Sequence, residues 1–137
     1  LLIVAIIGIF AVSIILTILL VNNSRDNRIY KYIESSAYGS AIKELDELYE
    51  AGENIDEVTV AFIDACMAER EYKRIPRAIE WLSEEYCENH KDKLVSIVEE
   101  IISAGKEKRV EEILATMIAT GGCRELYAYE IMSTVRD

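Results

Sequence analysis

"IPRAIEWL", Ile75 to Leu82, joins the single proline of the chain to its single tryptophan. Whether it is one helix start or one copy of a recurring unit decides the fold. Pro76 suits the first turn of a helix, where its missing N–H costs nothing. Two other stretches superimpose on this one, "YGSAIKEL" from Tyr38 and "VEEILATM" from Val110. An apolar residue (Tyr38, Ile75, Val110) is followed three places on by Ala41, Ala78 and Ile113. Next come Ile42, Ile79 and Leu114, then Leu45, Leu82 and Met117, with 37 and 35 residues between copies. Twelve positions before each alanine equivalent stand Ile29, Cys66 and Ile101, so a preceding helix keeps register as well. A period of this size signals stacked helical hairpins, each unable to bury its apolar face alone.

The rest of the chain beyond Asn22 agrees. Apolar residues recur at spacings of three and four, as at Leu94, Ile97, Val98, Ile101 and Ile102, which marks amphipathic helices. Gly39, Gly52, Pro76, Gly105 and Gly121-Gly122 punctuate the pattern, and no period-two strand pattern appears. Helices are predicted over 27–38, 40–51, 55–70, 75–89, 91–104, 107–120 and 124–135: three hairpins and a last helix that caps the open end.

Before the hairpins lies "LLIVAIIGIFAVSIILTILLV", 21 residues without a charge. As a helix it would be roughly 30 Å long, the thickness of a bilayer's hydrocarbon. The following "NNSRDNR" offers no small-x-small cleavage site, so the segment reads as an uncleaved single-pass anchor. Arg25, Arg28 and Lys31 follow it closely, but orientation depends on both flanks, and the side of the soluble part stays open.

Composition limits function. The net charge of −10 falls entirely outside the apolar segment and argues against nucleic acid as a partner. Lys106, Lys108 and Arg109 are interrupted by Glu107, Glu111 and Glu112, and read as a solvated helix start. Cys66, Cys87 and Cys123 form no metal-binding spacing with one another or with His90, the one histidine. No phosphate loop, nucleophile elbow or zincin motif is present. Cys87 and His90 share a helix face at i, i+3, but the pair reads more simply as a helix end than as nucleophile and base. The expectation is a protein that is not an enzyme, with no cofactor, metal or small-molecule substrate.

The hairpin pattern resembles the tetratricopeptide repeat, a helix-turn-helix unit of 34 residues, over about 27–122. Ala41 and Ala78 look like its small residue opening the second helix, Leu45 and Leu82 like its large apolar residue four places later, and Cys66 like the small residue of its first helix. Ile113, Ile29 and Ile101 depart from that pattern, and Glu53 and His90 stand where the terminal proline would be. "EVTVAFIDACMAERE" also looks like the first helix of pentatricopeptide repeats, which read RNA, a poor match to the charge. The tetratricopeptide resemblance implies an all-α fold, with a short right-handed α-solenoid of three hairpins and a C-terminal capping helix after a transmembrane helix. It divides the chain into an anchor (1–21), a juxtamembrane linker (22–28) and a repeat domain (29–137). It further implies that first helices line a concave partner-binding face, which maps to Val60, Ile63, Met67, Arg70 and Glu71, and to Val95, Val98, Ile102 and Lys106. The function implied is a membrane-anchored adaptor or scaffold subunit, held in the bilayer by residues 1–21 and binding a protein partner in a larger assembly. The stretch "LLIVAIIGIFA" also resembles the N-terminal helix of type IV pilins, which gives the alternative of a filament or secretion-system subunit with that helix in the filament core.

Overall fold

The computed structural model describes Leu2 to Arg136, apart from the side chains of Ile18 to Ser24. Among the described residues the chain is all helix and turn, with no strand. The first helix, α1 (Leu2–Glu34), is 33 residues long, about 50 Å at the usual rise. It runs without interruption through residues 22–28, where the sequence predicts a linker; "NNSRDNR" contains neither glycine nor proline to stop a helix. Among the described residues no helix is long and apolar enough to cross a membrane. The described apolar side chains stop at Thr17, and those of Ile18 to Val21, the end of the predicted anchor, lie outside the described residues.

Arg25 and Arg28 attach α1 to α2 (Tyr38–Glu50). Arg25 donates to Glu44 at 3.2 Å and to Glu47 at 2.8 Å, and Arg28 donates to Glu44 at 3.1 Å. Below them Ile29 and Ile33 of α1 meet Ala41, Leu45 and Leu48 of α2 in the core. Helix α3 (Asp56–Ala68) packs beside α1 and leads through a 3₁₀ turn (Tyr72–Arg74) to α4 (Ile75–Trp81). A short α5 (Glu84–Asn89) precedes α6 (Lys91–Ser103), which pairs with α7 (Glu107–Thr120). The last helix, α8 (Cys123–Arg136), lies across α5, α6 and α7 and buries Ala128 and Ile131. Helix α4 packs on α7 and more lightly on α2.

Ile29, Cys66 and Ile101 are all fully buried, as are Ala41, Ala78, Leu45, Leu82, Ile113 and Met117 to within a few per cent; Ile42 and Leu114 are half-buried. Ser36, Arg70 and Gly105, 34 and 35 residues apart, are the left-handed residues that end α1, α3 and α6. Each is followed by the same pair of hydrogen bonds. Ser36 donates to Ile33 and Ala37 to Tyr32, Arg70 to Met67 and Glu71 to Cys66, and Gly105 to Ile102 and Lys106 to Ile101. These are Schellman turns, and a fourth of the same form ends α2, where Gly52 is left-handed and donates to Tyr49 while Glu53 donates to Leu48. Helix resumes two residues after Ser36, Arg70 and Gly105, at Tyr38, Tyr72 and Glu107.

Tyr38 therefore corresponds to Tyr72 and not to Ile75, and the sequence spacing of 37 is one helical turn too long. Three residues are nearly a full turn, so a slip of that size lays apolar faces on apolar faces and goes unnoticed in the pattern.

One predicted helix is broken. The stretch 75–89 splits at Leu82, which is extended (ψ 139°), and Ser83 caps α5 by accepting the Tyr86 N–H at 3.1 Å. The break is held from outside: Asp56, at the start of α3, accepts the Ser83 N–H at 2.7 Å and the Ser83 hydroxyl. Arg124 of α8, 7 % exposed, donates to the Glu80 carbonyl at 2.9 Å and so occupies one of the carbonyls freed where α4 ends. Replacing Asp56 by Ala should leave the Ser83 N–H without its acceptor and cost about 1–2 kcal/mol of folding free energy. Urea unfolding followed by circular dichroism reads this directly; Asp56→Asn, which keeps an acceptor oxygen, should lose less.

Candidate functional site

Residues 2–17 present an apolar surface with no partner among the described residues. Leu2, Ile3, Val4, Ile7, Ile9 and Phe10 are each more than 60 % exposed, and Val12, Ile14, Ile15 and Leu16 more than half. They point to every side of α1, so this is no amphipathic stripe turned toward a neighbouring helix. In water such a surface is costly, at roughly 25 cal/mol for each Å² left uncovered, and a helix apolar all round belongs in a protein core or a lipid phase.

Of the nine side chains expected to line a concave partner-binding face, Glu71 is half-buried and the other eight divide into three groups. Ile63, Met67 and Val98 are buried at 1, 8 and 1 % exposure, which makes them core residues and corrects the expectation of an open apolar groove at these positions. Val60, Val95 and Ile102 are half-buried and pack on the same core. The physical reason is that the apolar faces of α3 and α6 are wide enough for neighbouring helices to cover much of them. Arg70 and Lys106, by contrast, are exposed.

Those two cations are brought together. Arg70, Lys73, Lys106 and Arg109 line one cleft of about 250 Å³ with Glu71 and Tyr72, between the turn after α3 and the start of α7. Glu71 lies 3.8 Å from both Lys73 and Arg74, and Arg109 pairs with Glu112 of its own helix at 2.7 Å. Among the described residues no carboxylate comes within ion-pair distance of Arg70 or Lys106. The basic start of α7 thus has a counterpart that sequence reading missed. The signal was present in the matching spacing of Arg70/Lys73 and Lys106/Arg109, each i, i+3 and the pairs 36 residues apart.

A smaller apolar crevice of about 200 Å³ lies among α6, α7 and α8, lined by Val98, Leu114, Ile131, Met132 and Val135. On the outer side of α8, Leu126 and Tyr129 are exposed.

The groups a hydrolytic or redox chemistry would use are placed otherwise. Cys66 is fully buried and its thiol is pushed up to about 12, chiefly by that burial. Cys87 is also fully buried and raised for the same reason, with the nearby Arg124 pulling the other way. A thiol held protonated is a poor nucleophile. His90 is exposed and stacks on Tyr86, with centroids 4.2 Å apart, its Nδ1 lying 3.1 Å from the Tyr86 carbonyl. Among the described residues no group of three or more His, Cys, Asp or Glu side chains is gathered to hold a metal ion.

No protein-family model matches the chain, and neither a curated protein nor a solved structure matches it.

Proposed function

We propose that this chain is a membrane-anchored adaptor: α1 inserts its apolar N-terminal half into a bilayer and carries a short right-handed stack of tetratricopeptide-like hairpins that holds a protein partner at the membrane surface. One observation carries the reading. The same uninterrupted helix is apolar on all sides over Leu2–Leu16 and then, from Ile29, becomes a wall of the packed core. The uncharged sequence continues to Val21, which brings the apolar length to that of a bilayer's hydrocarbon. Support for the repeat comes from the Schellman turns that end α1, α3 and α6 at Ser36, Arg70 and Gly105, 34 and 35 residues apart, with a fourth closing α2 at Gly52; a spacing of 34 to 35 is found in stacked helical hairpins.

The Arg25 and Arg28 pairs with Glu44 and Glu47 give the junction a further meaning. They join the continuing helix to the second helix of the first hairpin, so that the domain leaves the bilayer on a stiff stalk. A stiff stalk sets the height and direction at which a partner is presented. Photo-crosslinking of the full chain in native membranes, followed by extraction at alkaline pH, tests the reading. The expected result is a chain retained in the membrane fraction with a protein crosslinked to residues 29–137. A chain that is released at alkaline pH and crosslinks to nothing would refute it.

A further inference from the structure

We infer that the cleft between the turn after α3 and the start of α7 is a docking site for an acidic segment of a partner protein, a run of Asp or Glu side chains engaged by Arg70, Lys73, Lys106 and Arg109. The inference rests on the reading of the domain as one that holds a protein, and names the chemistry of the segment held.

Charge is the first argument. The chain carries 25 acidic residues against 15 basic ones, and most of the basic side chains between α1 and α8 are taken up internally. Arg25 and Arg28 hold Glu44 and Glu47, Arg77 holds Asp46, Lys91 holds Glu130, and Lys93 holds Asp64. In such a protein a cleft lined by four cations stands out: Arg109 pairs with Glu112 at 2.7 Å and Lys73 lies 3.8 Å from Glu71, while among the described residues no carboxylate is within ion-pair distance of Arg70 or Lys106. They come from two successive turns of the stack, so the strip they form runs along the edge of the repeat and suits an extended segment. An anion there meets guanidinium donors, which grip carboxylates through paired hydrogen bonds.

The backbone supplies a second argument. At the residue that ends a first helix in the left-handed region, the first hairpin has Ser36 and the third has Gly105; the second has Arg70 at φ 60°. Glycine is the residue that this position favours, and a long side chain there is conformationally costly. Arg70 keeps its charge at the mouth of the cleft against that local preference. The third argument is the start of α7. Lys106 is its N-cap and has no side-chain acceptor to offer, so the first N–H groups of this 14-residue helix lack a side-chain cap and point their positive end toward an incoming anion.

Two other anionic partners fit less well. The net charge of −10 opposes nucleic acid. Lipid headgroups are out of reach on the bilayer reading. Ser36, just past the C-terminal end of α1, donates to Glu69 at 2.6 Å, which puts the Arg70 turn at the end of α1 remote from the apolar segment. From Val21, where the uncharged segment ends, to Glu34 the helix runs about 20 Å.

The test uses the full chain in nanodiscs of zwitterionic lipid and a fluorescein-labelled hexaglutamate peptide, with hexaglutamine as the neutral control. Hexaglutamate should bind, hexaglutamine should not, and the affinity should fall as salt rises. Arg70→Gly should weaken binding about tenfold while the melting temperature stays the same or rises, because the strained position gains the residue it favours. A purely structural role for Arg70 would not separate those two readouts. Arg70→Lys should keep most of the affinity, and Arg70→Gly with Lys106→Gln should abolish it. Equal binding of both peptides, unchanged hexaglutamate affinity in the double variant, or equally tight binding of inorganic phosphate would each overturn the inference. Crosslinking in native membranes separates its failure from that of the adaptor. A partner captured equally by wild type and double variant overturns the cleft and leaves the adaptor standing, whereas no capture by wild type at all overturns both.

Discussion

Phe62→Ala is expected to destabilise the packed domain by about 3–5 kcal/mol, the range for truncating a buried aromatic side chain. Phe62 sits in α3, fully buried, between two aromatic neighbours met edge-on: Tyr38 of α2 at 5.8 Å between ring centroids and Trp81 of α4 at 5.7 Å. Three helices, α2, α3 and α4, therefore meet at one side chain. Truncation removes the transfer free energy of the ring and about 0.5–1.5 kcal/mol for each aromatic pair. It also leaves a cavity that the neighbours cannot easily collapse into. Trp81 is held by its indole N–H on Asp46 at 2.9 Å, and the same carboxylate accepts from Arg77 at 2.6 Å. Against the 5–15 kcal/mol that stabilises an ordinary domain, the loss is a large share, and a fall in melting temperature of roughly 15 °C or more follows for a domain of this size. Leu126→Ala, at a site 69 % exposed on α8, should change stability by less than about 0.5 kcal/mol. Thermal unfolding by circular dichroism checks both; equal effects of the two substitutions would contradict the placement of the core.

What the sequence disclosed follows from which forces are local. Apolar spacing gave the helices and the positions that bury, because the period of a helix is written into neighbouring residues: Ile29, Cys66 and Ile101 all lie at zero exposure. The break at Leu82 was not legible. Its cause is Asp56, 27 residues away, which takes the Ser83 N–H that a continuing helix would have used. The alignment of Tyr38 with Ile75 is three residues out because a slip of nearly one helical turn keeps apolar faces matched, and the left-handed residue that would fix the register is Ser36 and not glycine. Residues 22–28 looked like a linker because they are polar, yet polarity alone does not end a helix, and Arg25 and Arg28 find their partners only once α2 folds back alongside. The apolar candidates for partner binding were sorted by tertiary packing, which no single helix reveals, while the charged pair Arg70 and Lys106 stayed at the surface. Their meeting with Lys73 and Arg109 depends on two successive turns lying side by side.

Placing two carboxylates in the middle of the apolar segment, Ile9→Asp with Val12→Asp, should turn a chain that resists alkaline extraction into one that is released by it. The argument begins with what these side chains touch. Ile9 is 67 % and Val12 57 % exposed, and neither belongs to the core formed from Ile29 onward. The substitutions therefore remove no packing from the domain, and its melting temperature and its aromatic near-ultraviolet signal should be unchanged. In a bilayer the same residues fall near the midplane of a segment that spans Leu1 to Val21. A central Asp costs about 2.5–3.5 kcal/mol on insertion scales, so two cost about 5–7 kcal/mol. That is enough to reverse a partition that the aliphatic side chains otherwise favour by a few tenths of a kcal/mol each. Ile9→Leu with Val12→Leu keeps the apolar surface and should remain in the membrane fraction. The same pair of variants distinguishes the filament alternative. If α1 packs against copies of itself, the wild-type chain should sediment as polymer even in mild detergent and the carboxylates should disperse it; an inserted anchor should be monodisperse in detergent with or without them. Retention of the double Asp variant after alkaline extraction would mean that the apolar half of α1 is held by something other than lipid.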